Sequence, residues 1–99
     1  MNIKFEELEL LAKSLDAELY GNIGNRALFE YLDEEIEELR QRNCPNTTKE
    51  KLNQVEEFGD VLFCLVAYAR QNNININYAL AITICKLQDR IKRGHNGDK

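Results

Sequence analysis

The feature that most constrains this chain is the run Val61-Leu62-Phe63-Cys64-Leu65-Val66-Ala67-Tyr68-Ala69, nine consecutive residues without a charge. It extends a series of apolar residues at helical spacing, Leu52, Val55 and Phe58. The whole reads as one long helix whose second half is apolar on every side, and such a helix has to be covered on both faces. A bilayer-spanning helix needs roughly 20 apolar residues, so the cover must come from protein and not from lipid.

The rest of the sequence supplies that cover. There is one proline and no alternating strand pattern, so the chain reads as all-α, a four-helix bundle-like fold. A first helix is predicted from Phe5 to Tyr20, with Phe5, Leu8, Ala12, Leu15 and Leu19 on one face, and Gly21-Asn22-Ile23-Gly24-Asn25 breaks it. A second runs from Asn25, read as its N-cap, to Arg42. After the turn Asn43-Cys44-Pro45-Asn46, the third covers Thr48 to Gln71 behind a capping box, Thr47 with Glu50 three residues on. The fourth spans Ile76 to Arg93, stopped by Gly94. The short connections favour antiparallel neighbours. Residues 1–93 read as a single domain and 94–99 as a flexible tail, in which His95 is given no role. A chain of 99 residues has room for only a thin core, so oligomerisation is expected to complete it.

Composition narrows the function classes. A formal net charge of −4 gives no reason to expect nucleic-acid binding, which usually shows a basic excess. The start, Met1-Asn2-Ile3-Lys4-Phe5-Glu6-Glu7, carries no apolar core of signal-peptide length. Cys44, Cys64 and Cys85 are widely spaced and odd in number, which fits neither a zinc site nor a disulfide framework. They read as reduced thiols of a cytoplasmic protein, two of them in the core.

The acidic residues carry the chemistry. In the second helix Leu28, Leu32 and Leu39 fall within roughly 40° of one another at 100° per residue, and Glu35 lands inside that stripe. Glu38 flanks it beside Tyr31, whereas Glu37 points away to solvent. An acid-rich helix is most often just a solvated face. A carboxylate on a core-facing stripe, however, is costly unless something compensates it. In the third helix Glu57 and Asp60 sit together, opposite Leu52, Val55 and Phe58, on a side that Val61, Cys64 and Ala67 continue as apolar. They are therefore expected to look into a groove between helices. Gly59 beside them costs about 1 kcal/mol of helix stability relative to alanine, which a close approach by a neighbouring helix or a ligand would explain.

Each helix thus carries an i,i+3 carboxylate pair able to hold a cation from one side, and antiparallel packing would bring all four together. Oxygen-only ligands select a hard ion, Mg²⁺ or Mn²⁺. Four carboxylates exceed the charge of one such ion, which points to two ions or to one with a position open for substrate phosphates.

Glu34-Glu35-x-x-Glu38 followed, after 18 residues, by Glu57-x-x-Asp60 resembles the E-E-x-x-E…E-x-x-D signature of the all-α nucleotide pyrophosphohydrolases. The continuation Glu56-Glu57-Phe58-Gly59-Asp60-Val61-Leu62-Phe63 into Arg70 is similar to the MazG branch. The resemblance runs from about Leu28 to Arg93. It implies a MazG-type bundle that forms a homodimer or homotetramer. It also implies Mg²⁺-dependent hydrolysis of (deoxy)nucleoside triphosphates to monophosphates and pyrophosphate, in nucleotide-pool house-cleaning or pool control. By position the metal ligands would be Glu35, Glu38, Glu57 and Asp60, with Glu34 orienting or deprotonating the attacking water. In the family a basic element on the following helix meets the phosphates, which puts Lys86 and Arg90 in that role. A basic last turn favoured by the helix dipole accounts for the same residues without any ligand. The chain lacks tryptophan, has Leu87 where an aromatic is usual and Ile84 where asparagine is common. The nucleobase is therefore left open. The competing readings are a phosphoribosyl-ATP pyrophosphatase-like enzyme and a non-catalytic helical module with a structural metal site.

Overall fold

Local signals in the sequence set the ends of each helix. The computed structural model describes residues 4–94. Among these are four helices and no strand: α1 (Phe5–Tyr20), α2 (Asn25–Arg40), α3 (Thr48–Gln71) and α4 (Ile76–Lys92). The fold is all-α, as expected. Residues 95–99 of the expected tail, His95 included, lie outside the described residues.

The capping box forms as read. Thr47 Oγ1 accepts from the Glu50 N–H at 3.0 Å, and Glu50 Oε1 accepts from the Thr47 N–H at 3.2 Å. The far end of α3 closes without glycine. Asn73 takes a left-handed conformation at φ 56°, while the Ile74 N–H donates to Ala69 O at 2.8 Å and the Asn73 N–H to Arg70 O at 3.4 Å. This is the pairing of a Schellman end, and asparagine is the residue besides glycine that most readily supplies it.

Three boundaries differ from expectation, the smallest being that α4 ends at Lys92 with Arg93 as its cap. Asn25 is the first helical residue of α2 and not its cap; Gly24, at φ 86°, holds the cap position. The Asn25 side chain is used elsewhere, exchanging hydrogen bonds of 3.1 and 2.7 Å with Asn72. Helix α2 also stops at Arg40, because the N–H groups of Arg42 and Asn43 turn to carbonyls three residues back, Leu39 and Arg40. Pro45 disfavours helical geometry at Cys44, so the tightened turn leads out of the helix.

Helices α2 and α3 are antiparallel. Asn25 meets Asn72, the Phe29 and Tyr68 rings lie 5.3 Å apart, and Glu35 lies beside Asp60 as Glu38 does beside Glu57. As the chain advances along α2, its partner recedes along α3. Helix α1 packs on α3 and α4 rests on α1. Asp16 and Arg70 tie the first contact with an ion pair of 2.6 Å. Glu9, only 6% exposed, ties the second by accepting from the Ile76 and Asn77 N–H groups at 2.7 and 3.2 Å. Burial pushes the Glu9 carboxyl up, but Lys13 and those two N–H groups outweigh it and hold it below its ordinary value.

The expectation that α3 is buried on both sides is not met within one chain. Glu57, Val61, Cys64 and Ala67 face the protein interior, whereas Leu52, Val55, Phe58, Leu62 and Leu65 remain exposed. Gly59 lies on this open side, and a Cβ there would touch nothing, so no helix of the same chain explains it. Among the described residues the buried apolar side chains are Leu28, Ala67 and Ala69. Nor do two cysteines enter the core: Cys44 and Cys85 are exposed and Cys64 is half-buried. No described helix is long and apolar enough to cross a membrane.

Candidate metal centre

The antiparallel register of α2 and α3 converts two i,i+3 pairs into one cluster. Carboxylate oxygens of Glu35, Glu57 and Asp60 all lie within 4.8 Å of one another. Glu38 stands outside this triad, exposed, but within hydrogen-bonding reach of both Glu35 and Glu57. Glu35 Oε2 and Glu57 Oε2 are buried and no donor reaches either. A buried carboxylate oxygen without a partner is costly, because it has lost its water and gained nothing in return.

The electrostatics follow from that crowding. Burial raises the Glu35 carboxyl, and the charges of Glu38, Asp60 and Glu57 push it further, to about 7. Glu57 is raised too, by burial, by Glu38 and by Asp60, with the Arg42 charge opposing. Like charges at this separation cannot all ionise in a half-buried site unless a cation joins them. The donor set is oxygen only and two of its members are orphaned, so the residues fit a hard divalent ion such as Mg²⁺ or Mn²⁺.

The other site residues anticipated from the sequence are placed differently. Glu34 is exposed and, one residue from Glu35, leaves the helix about 100° away from it. Glu37 is also exposed and pairs with Arg40 at 3.4 Å, as a merely solvated residue would. Lys86 is exposed and Arg90 half-buried on α4, the helix that rests on α1. Neither lines the cavity that holds the carboxylates, so the single chain does not bring them to the acidic cluster.

That cavity, of about 330 Å³, extends from Glu35 and Asp60 past Tyr31, Phe63 and Cys64 to Tyr20 and Asp16. Burial, then the charges of Glu35, Asp60 and Asp16, push the Cys64 thiol up, which keeps it protonated and unreactive. A groove of about 370 Å³ between Leu39, Val55 and Phe58 contains none of the four carboxylates.

Two residues at this site escaped sequence reasoning. Arg42 is a cation whose charge reaches the cluster from just beyond α2, and the carboxylate it acts on, Glu57, belongs to the next helix. Asp16 is on α1, which carries no acidic motif, and only its pairing with Arg70, 54 positions away, draws it to the cavity.

The model of the MazG nucleotide pyrophosphohydrolase domain matches residues 24–95 of this chain. That span contains α2, α3, α4 and all four carboxylates, and leaves α1 outside. No curated protein and no solved structure matches it.

Proposed function

This chain belongs to the MazG nucleotide pyrophosphohydrolase family, and on that premise we propose that it hydrolyses (deoxy)nucleoside triphosphates to monophosphates and pyrophosphate with Mg²⁺, for which Mn²⁺ can substitute. The observation that carries the reading is the convergence of Glu35, Glu57 and Asp60 within 4.8 Å with two carboxylate oxygens buried and unpartnered. Glu35, Glu38, Glu57 and Asp60 would hold the ion, Glu38 from the flank. The ion, when bound, supplies charge neutralisation for the triphosphate and acidifies a coordinated water.

The chain's own groups do the rest. Glu34, next to the ligand Glu35 and exposed to solvent, takes the proton of the attacking water. Attack on the α-phosphorus requires positioning and charge stabilisation more than covalent help. Arg42 offers positive charge from the α2–α3 turn. Lys86 and Arg90, absent from the cavity of their own chain, would reach the phosphates in a second copy. The exposed apolar faces of α3 and α4 favour such an assembly, a homodimer or homotetramer. Residues 1–93 then act as one domain, in the cytoplasm, with a role in clearing or controlling nucleotide pools.

Pyrophosphate release from a panel of ribo- and deoxyribonucleoside triphosphates tests this reading. Monophosphate and pyrophosphate in equal amounts, formed with Mg²⁺ and not with EDTA, are expected. Orthophosphate as the first product, or silence across the panel from folded protein, contradicts it.

A further inference from the structure

The cavity has two ends of different chemistry. One holds the carboxylates Glu35 and Asp60; the other holds Asp16, whose side chain is 3% exposed. Asp60 and Arg70 are ten residues apart on α3, about 15 Å of helix, so Asp16, which pairs with Arg70, marks the far end. Aromatic side chains, Tyr20, Tyr31 and Phe63, line the space with Cys64 and Leu28. A nucleotide has the same polarity, with phosphates at one end and the edge of its base at the other.

Asp16 is only partly satisfied. Its Oδ2 accepts from Arg70 Nε at 2.6 Å, and among the described residues no donor reaches Oδ1. The other hydrogen bonds of Arg70 among the described residues go elsewhere, from Nη1 to Asn22 Oδ1 at 3.2 Å and from Nη2 to the Gly21 carbonyl. An ionised carboxylate has about four lone-pair sites and donates nothing. At the wall of a cavity it therefore welcomes an N–H donor and repels a carbonyl oxygen.

We propose that Asp16 is a specificity-determining residue that accepts the exocyclic amino group of the substrate's base. The site then takes the triphosphate of an amino-bearing base, cytosine or adenine, in preference to its oxo counterpart, uracil or hypoxanthine. Carboxylates recognise the cytosine amino group in this way in nucleic-acid complexes. The inference rests on the pyrophosphohydrolase reading and adds to it a residue of α1, the helix outside the family match.

The test compares kcat/KM for CTP with UTP and for ATP with ITP, pairs that differ at the amino position, in the wild type and in Asp16→Asn. At least a tenfold or so preference for the amino member of one pair is expected in the wild type, because an oxo group offers Oδ1 no donor and sets its own lone pairs against it. In Asp16→Asn, which offers both a donor and an acceptor, that ratio falls to within about twofold of unity. A wild type indifferent within both pairs, or an Asp16→Asn variant that keeps the wild-type ratio, overturns the proposal while leaving the hydrolase reading intact. If Asp16 served only to hold Arg70, the variant would lose stability and slow all four substrates alike. Binding of CMP and UMP to the wild type, followed by the ring signals of Tyr20 and Tyr31, reads the same pocket without turnover or mutation. With AMP and IMP measured beside them, tighter binding of the amino member of one pair is expected even if no triphosphate is hydrolysed, and equal or absent binding within both pairs overturns the proposal.

Discussion

Glu35 is the residue on which the site turns, since its carboxylate is half-buried on the stripe that also carries Leu28 and Leu32. Its carboxyl is raised from an ordinary 4.5 to about 7 by burial and by Glu38, Asp60 and Glu57. The folded, metal-free chain therefore keeps a proton that the unfolded chain gives up. That contribution to stability is complete below about pH 4.5 and is lost as pH rises through about 7. Thermal melts in EDTA across that range should show Tm falling with pH, and Glu35→Gln should flatten the slope and melt higher at pH 8. A wild-type Tm that rises over the same range contradicts the burial of this carboxylate. For Glu57→Gln and Asp60→Asn, circular dichroism should show unchanged helix while turnover drops. Loss of groups that merely support a metal ligand costs about 10–100-fold, so loss of a ligand itself is expected to exceed about 100-fold.

Helix ends account for much of what the sequence makes legible. Thr47 and Glu50 announce the start of α3 because both partners of the capping box lie within four residues, and its hydrogen bonds form. Thr47→Ala should cost about 1 kcal/mol in urea unfolding. The acidic cluster was legible for a related reason. Helical phase puts Glu35 on an apolar stripe and Glu57 beside Asp60, and short loops make α2 and α3 antiparallel neighbours. Phase says nothing about side chains whose partners are distant in sequence. Asn25 was misread as a cap because Asn72, its actual partner, is 47 positions away. Asp16, Arg42 and the Glu9 contact with α4 were invisible for the same reason. That last contact makes α4 dependent on one buried side chain of α1. Glu9→Ala should accelerate hydrogen exchange at the first turn of α4 well beyond any change in α2 or α3.

The whole molecule exposes more surface than its mass allows a self-sufficient fold. It presents 8004 Å² where a folded monomer of 11.5 kDa is expected to show roughly 5,800 Å². The excess is on the order of 2,000 Å² per chain, or about 4,000 Å² counted over two partners, within the range of obligate dimer interfaces. Here the sequence was least informative. An apolar stripe such as Leu52, Val55, Phe58 and Leu62 demands cover but does not say whether the same chain or another copy provides it. If a second copy does, and brings Lys86 and Arg90 to the carboxylates, chains carrying Glu57→Gln and chains carrying Lys86→Ala with Arg90→Ala should each be inactive alone. Refolded together as dimers they should recover about a quarter of wild-type activity, since half the pairs are mixed and hold one intact site. No recovery would contradict their action from the second copy. The claim beneath all of this is that four carboxylates from α2 and α3 hold the ion on which hydrolysis depends. Pyrophosphate release measured against Mg²⁺ concentration, with wild type and Asp60→Asn side by side, tests it most directly. The wild type should rise from nothing to saturation while Asp60→Asn stays silent at the same metal concentrations; an Asp60→Asn curve superimposed on the wild type would contradict it.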